Sequence, residues 1–233
     1  MRQKLQRFEA NKWLNNLIEP GKAIYKTIKG QWNNLYFPNN QPITLEMGCG
    51  HGAYTVGLGK TFPERNFIGI DIKGDRLWKG AQEAQDGHLH NVAFLRIPIT
   101  QLLDFFEENE ISEIWITFPD PRPKNKDIKR RLTALRFLKL YEIILIDSGK
   151  VHLKTDSTLL FQYTLDLLQQ QALQLLSYTT DLYGSSLIKD HLGIQTTYEK
   201  RFLAQGMQIS YLCYANRCGT SYFPHPARSR LRY

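Results

Sequence analysis

Five short runs rich in β-branched and aromatic residues, at 43–47, 66–72, 91–97, 113–118 and 150–155, are separated by segments of roughly 15 to 30 residues. A hairpin closes in a few residues, so separations of this length are crossovers, and a crossover back into the same sheet makes the two strands parallel. The chain is therefore held to repeated strand–helix–strand units, which excludes all-β and all-helical architectures. Between the fourth and fifth runs Leu135, Leu138, Tyr141 and Leu145 recur at helical spacing, and residues 157–176 form a second long amphipathic stretch. Both are predicted to cover the sheet. Beyond 176 the pattern changes to a strand (177–183), a loop, a short helix at about 196–205 stopped by Gly206, and a final strand (208–215). The last two strands are expected to pair like a hairpin at one edge. The expected fold is α/β: a mostly parallel seven-stranded sheet with helices on both faces and an antiparallel edge strand.

Residues 1–40 stand outside that alternation. They are basic and carry Trp13, Tyr25, Trp32, Tyr36 and Phe37 without a clean period, as expected of an extension packed on one domain spanning 41–233. No stretch of 18 apolar residues occurs, and the first 13 residues carry charges where a secretory signal needs an apolar run. The expectation is a cytoplasmic protein with no membrane partner. Three cysteines, with Cys49 far from Cys213 and Cys218, do not read as a disulfide framework. Cys213, Cys218 and His225 are a poor zinc set, so no metal is expected. Charge is more informative: 30 Lys and Arg against 22 Asp and Glu leave +8, which points to a polyanionic partner, nucleic acid ahead of an acidic membrane.

Directly after the first of the five runs comes Glu46-Met47-Gly48-Cys49-Gly50-His51-Gly52. Glycines at alternate positions let the chain turn sharply and let a small molecule approach the backbone. With Asp71 closing the second run to hold a ribose, the pattern suits a dinucleotide or S-adenosylmethionine. Glu46 tilts the choice, because an acid two residues before the first glycine suits the ammonium of a methionine moiety and opposes a pyrophosphate. The third run ends in Arg96-Ile97-Pro98-Ile99, with no acid or amide to meet an adenine amino group.

The fourth run stops at Phe118-Pro119-Asp120-Pro121-Arg122-Pro123, where three prolines in five residues remove three backbone donors and end the ladder. In a doubly wound sheet this strand lies beside the first, so Asp120 is predicted to face the same crevice as Glu46. Residues 122–139 then carry eight basic side chains and one acidic one, beside that crevice, where a polyanion would dock. Arg228, Arg230 and Arg232 extend the basic character at the end of the chain.

These residues together resemble the bacterial tRNA (guanine-N7)-methyltransferase family over nearly the full length. The resemblance rests on the Glu-Met-Gly-x-Gly-x-Gly turn, on Gly69-Ile70-Asp71, and on the Phe-Pro-Asp-Pro bend with Lys124 and Lys129-Arg130-Arg131-Leu132. The strand His152-Leu153-Lys154-Thr155-Asp156 and Thr196-Thr197-Tyr198-Glu199 before Lys200 and Phe202 complete it. It implies a Rossmann-like class I methyltransferase fold and methylation of guanine 46 in the tRNA variable loop, with S-adenosylmethionine as methyl donor. By position, Glu46, Gly48, Gly50, Asp71 and Asp120 would hold the donor, and Asp120 would be catalytic. Lys124, Lys129, Arg130, Arg131, Asp156, Thr196 and Glu199 would contact tRNA. Two of these have local readings as well, Asp156 as an N-cap and Thr196-x-x-Glu199 as a capping box. The chain departs from the family at Arg122, where Trp is frequent, at Thr117, where Asn is usual, and at Pro98, where an acid is expected. No obligate protein partner is implied, and monomer and homodimer both fit. A nicotinamide-dependent oxidoreductase and a non-catalytic tRNA-binding subunit are the alternatives.

Overall fold

Eight strands form one sheet in the computed structural model, which describes residues 2–191 and 193–216. They are β1 (Leu17–Ile18), β2 (Ile43–Met47), β3 (Asn66–Asp71), β4 (Val92–Arg96), β5 (Ile111–Thr117), β6 (Leu145–Thr155), β7 (Leu175–Thr179) and β8 (Ser210–Ala215). Their spatial order is β1-β4-β3-β2-β5-β6-β8-β7. β1 to β6 pair in parallel, and β8 is antiparallel to both β6 and β7. The order reverses between β2 and β5, whose carboxyl ends therefore open the crevice at the switch point.

Side chains partition between the two faces with the period of two that a strand imposes. Ile43, Leu45 and Met47 of β2, Ile68 and Ile70 of β3, Ile114 and Ile116 of β5, and Val151 and Leu153 of β6 share one apolar cluster. It packs under the helices that follow β5 and β6. On the opposite face Glu46, Thr117 and Lys154 come from three adjacent strands, with Thr117 and Lys154 directly paired in register. All three are buried.

Among the described residues six α-helices surround the sheet: α1 (Arg2–Asn11), α2 (Ala53–Thr61), α3 (Gly74–Asp86), α4 (Leu135–Ile144), α5 (Thr158–Gln170) and α6 (Thr197–Ala204). Three boundaries differ from the periodicity. Leu145 keeps the helical spacing of α4 yet opens β6, and α5 stops at Gln170, so that Leu175 and Leu176 belong to β7. In both cases an apolar residue satisfies either period, and the neighbouring strand decides. Asp156 is not the cap of α5; the Ser157 hydroxyl fills that position, accepting from the Leu160 N–H at 3.2 Å.

The eighth strand comes from within residues 1–40. Leu17 and Ile18 pair with Phe94 and Leu95, covering an edge of β4 that would otherwise present unpaired backbone groups. Asn11 and Asn16 donate to the carbonyls of Gly74 and Ala81 on α3, at 3.1 and 2.8 Å. Trp32 is fully buried, stacked on Phe106 with its indole N–H on the Phe105 carbonyl. Among the described residues no helix is long and apolar enough to cross a membrane. Cys218, His225, Arg228, Arg230 and Arg232 lie outside the described residues.

Candidate active site

The turn between β2 and α2 is built from glycines in the left-handed region, with φ of +71° at Gly48, +58° at Gly50 and +73° at Gly52. A Cβ on Gly52 would lie 2.4 Å from the Phe94 ring, so close packing as well as φ requires glycine there. At Gly50 the same position is open, with nothing within 4 Å, and the turn faces space. Asp71, at the end of β3, anchors the loop: one carboxylate oxygen accepts the Gly50 N–H at 3.0 Å and the other the Lys73 N–H at 2.9 Å. Each oxygen keeps lone pairs for a ligand.

Glu46 lies one layer behind this turn. Its carboxylate accepts from the N–H and hydroxyl of Thr55 at the start of α2 and from the Thr117 hydroxyl at 2.6 Å. Burial pushes its carboxyl up to about 6, against those hydrogen bonds and the field of Lys154. The acid therefore stitches β2, β5 and α2 together beneath the crevice. Thr117, the residue at the Asn position, has a defined task in holding it.

A cavity of about 640 Å³ opens above, between the carboxyl ends of β2, β3, β4 and β5, a size that accommodates a cofactor-like molecule. Its walls bring together Gly48, Gly50, Asp71, Asp120, Asp156 and Thr196, which the sequence scatters over 149 positions. Ile97, Pro98 and Ile99 give an apolar wall after β4, where Thr100 supplies a hydroxyl.

Asp120 projects from the bend after β5 with its side chain 60% exposed. Phe118 at φ +47° and Arg122 at φ +46° bracket it, two non-glycine residues in a region that costs of order 1–3 kcal/mol each. Such strain persists only where surrounding contacts impose it, and Arg131 supplies some of them. Its guanidinium, 4% exposed over the whole residue, donates to the carbonyls of Pro121 and Arg122 at 3.1 Å and lies 4.4 Å over the Tyr163 ring. Arg131 thus differs from the phosphate-binding role expected of the basic run, because it is buried and its Nε and Nη2 serve the bend. Lys124, Lys129 and Arg130 remain exposed, and Arg130 reaches the cavity. Arg122, at the Trp position, folds back on Asp120: its N–H and Nε meet the two carboxylate oxygens at 3.1 and 3.0 Å.

Across the cavity Asp156 is half-buried, its carboxyl raised by burial. Thr196 caps α6 in a reciprocal capping box with Glu199. Glu199 itself is fully buried in a cluster with Lys154, His191 and Tyr183 and does not line the cavity, in contrast to the direct tRNA contact expected of it. Lys73 and Arg76 line the lip beside Asp71, and Tyr198 and Phe202 the opposite one. Sequence reasoning missed these four as site residues, although Lys73 and Arg76 follow Asp71 closely enough to have been suspected.

A family profile described as "Putative methyltransferase" matches residues 40–212. The tRNA (guanine-N(7)-)-methyltransferase of Cytophaga hutchinsonii is 49% identical over 213 residues, 91% of this chain and 96% of that protein. Its counterpart in Christiangramia forsetii is 45% identical over 215 residues, 90% of this chain and 96% of that one. Among solved structures, the 16S rRNA methyltransferase KamB superposes with a TM-score of 0.62 at 13% identity, covering 81% of this chain and 93% of that chain. An antibiotic-related methyltransferase follows at 0.56 and 17% identity, with 77% and 89% covered. At such identities the structural likeness speaks for the fold, a Rossmann-like class I methyltransferase sheet.

Proposed function

The chain belongs to the tRNA (guanine-N7)-methyltransferase family, and from that membership we propose that it transfers a methyl group from S-adenosylmethionine to N7 of guanine 46 in the tRNA variable loop. The observation that carries the reading is the placement of Asp120: a carboxylate in a strained bend at the end of β5, across the crevice from a glycine turn at the end of β2, with basic side chains on both lips.

The site's residues fit the donor. Gly50 leaves room for a ligand against the backbone, Asp71 has lone pairs free for ribose hydroxyls, and Ile97 to Ile99 present an apolar surface for a purine ring. When bound, S-adenosylmethionine supplies an electrophilic methyl group. Glu46 holds the turn from behind and adds a negative field under the donor's cationic groups. Guanine N7 carries an in-plane lone pair, so no strong base is needed; alignment and relief of the charge gained by the purine carry the catalysis. Asp120 serves both purposes. Its oxygens can accept guanine N–H groups beside the bonds they already take from Arg122, and its charge opposes the developing cation.

Arg130 on one lip and Lys73 and Arg76 on the other, with the exposed Lys124 and Lys129 of the basic run close by in sequence, would meet the phosphates of an RNA crossing the mouth. A guanine engaged in tRNA tertiary pairing has to leave its stack to enter, so Tyr198, 51% exposed at the rim, offers a surface for the displaced base. The test is methyl transfer to unmodified bulk tRNA followed by nucleoside analysis. The expected product is 7-methylguanosine, absent when a tRNA transcript carries adenine at position 46. Methylation of that transcript would overturn the assigned position, and a lack of 7-methylguanosine altogether would overturn the activity.

A further inference from the structure

Behind the Thr196 wall lies a charged cluster that the methyl-transfer chemistry does not use. The Lys154 ammonium, on β6 and 1% exposed, meets Glu199 Oε1 at 2.7 Å. His191 Nε2, from the turn Ser186–His191, reaches the same oxygen at 3.0 Å, and the Tyr183 hydroxyl donates to it at 3.1 Å. The other oxygen accepts the Thr196 N–H at 3.3 Å, and Gln195 donates to the Tyr183 hydroxyl at 2.8 Å. Burial alone would raise the Glu199 carboxyl, but the bond from His191 and the ammonium of Lys154 outweigh it and hold the group below the usual carboxylate range. The same burial lowers Lys154 to about 8.

A buried ion pair is poor evidence for stability, since well-packed apolar residues of similar volume often do as well. What this pair adds is connection. Through its backbone carbonyl Lys154 accepts the Phe118 N–H at 2.8 Å, holding the root of the Asp120 bend. Through its side chain it holds α6, whose Thr197, Tyr198 and Phe202 line the cavity together with the cap Thr196, with the Phe202 ring 5.9 Å from that of Phe118. We propose that the Lys154–Glu199 pair is a positioning device that sets the spacing between the Asp120 bend and the Thr196–Tyr198 rim, and so the grip on the target base. Neither residue touches substrate. The proposal rests on the reading of Asp120 and Thr196 as base-facing groups.

The experiment compares Lys154→Met, Glu199→Gln and the double variant with the wild-type protein, measuring Tm, S-adenosylhomocysteine affinity, and single-turnover methylation against tRNA concentration at saturating donor. Glutamine still serves the capping box. Each single variant should lower Tm by leaving an unpaired group, and the neutral double variant should recover it. The grip should not recover with it: kcat/KM for tRNA should stay down by about a hundredfold, the penalty of an ångström-scale misplacement, with donor affinity unchanged. A double variant with wild-type kcat and KM for tRNA would overturn the proposal and leave the pair a structural element only. A wild-type protein that forms no 7-methylguanosine would instead overturn the functional reading beneath it, so the two failures are told apart by the wild-type arm.

Discussion

The glycine turn after β2 and the proline bend after β5 end neighbouring strands at one crevice, yet they are built in opposite ways. At the turn both carboxylates are anchored to the backbone: Glu46 is buried under three hydrogen bonds, and Asp71 spans two backbone N–H groups while keeping lone pairs for a ligand. At the bend the key carboxylate is exposed, held by one neighbouring arginine, and flanked by strained residues that Arg131 pins from below. A small ligand of fixed shape rewards a rigid cradle, because its binding has few contacts over which to spread error. A large polyanion supplies its own contacts, and the protein gains by leaving the approach open and charged. Under the proposed function, the comparison teaches that burial marks the donor side and strain marks the substrate side.

The largest expected effect strikes the bend. Asp120→Asn keeps the shape and removes the charge, so single-turnover methylation should slow by about a hundredfold while tRNA and donor affinities move far less. A normal rate with weakened tRNA binding would make Asp120 a recognition residue and erase the asymmetry between the two regions.

A comparable effect, read in stability, belongs to the turn. The Glu46 carboxyl is raised from 4.5 to about 6 in the folded protein, so the folded state binds its proton more tightly than the unfolded state does. Its contribution is most favourable below pH 4.5 and is lost as pH rises through about 6, a difference of about 2 kcal/mol. Glu46→Gln cannot titrate, so its Tm relative to wild type should climb across that window and then level, even as donor affinity falls. A flat difference between pH 4 and 7 would show that Glu46 is no more burdened than an exposed acid.

Asp71→Ala should weaken S-adenosylhomocysteine binding by about tenfold in calorimetric titration, the scale of one hydrogen bond to a charged group, and leave tRNA affinity in place. Equal losses of both ligands would mean that turn and bend fold as one unit. The smallest effect distinguishes cations within the basic run. Replacing Lys129 and Arg130 with Ala should reduce the log–log salt slope of tRNA binding by roughly 0.7 to 0.9 per lost contact. Arg131→Ala should leave that slope alone and lower Tm, since its donors serve carbonyls. An identical slope change for all three would return Arg131 to the phosphate track.

What the sequence determined by itself is what short-range physics controls. Alternating apolar residues set strands and faces, three alternate glycines set a turn that only positive φ can make, and three prolines end β5 at Asp120 whatever else the chain does. The capping box at Thr196 and Glu199 was legible for the same reason, since both halves lie within one helical turn. The tertiary structure alone decided the rest. Leu17 and Ile18 become a strand only because β4 offers an unpaired edge, and Leu175 belongs to β7 only because β8 lies beside it. Arg131 and Arg130 are adjacent and chemically identical, yet one is sealed under a loop and the other faces solvent. Lys154 and His191 are 37 residues apart and find Glu199 only after the sheet and α6 have packed. A charged side chain's partner depends on which elements the fold brings within a few ångströms, and no local rule carries that information.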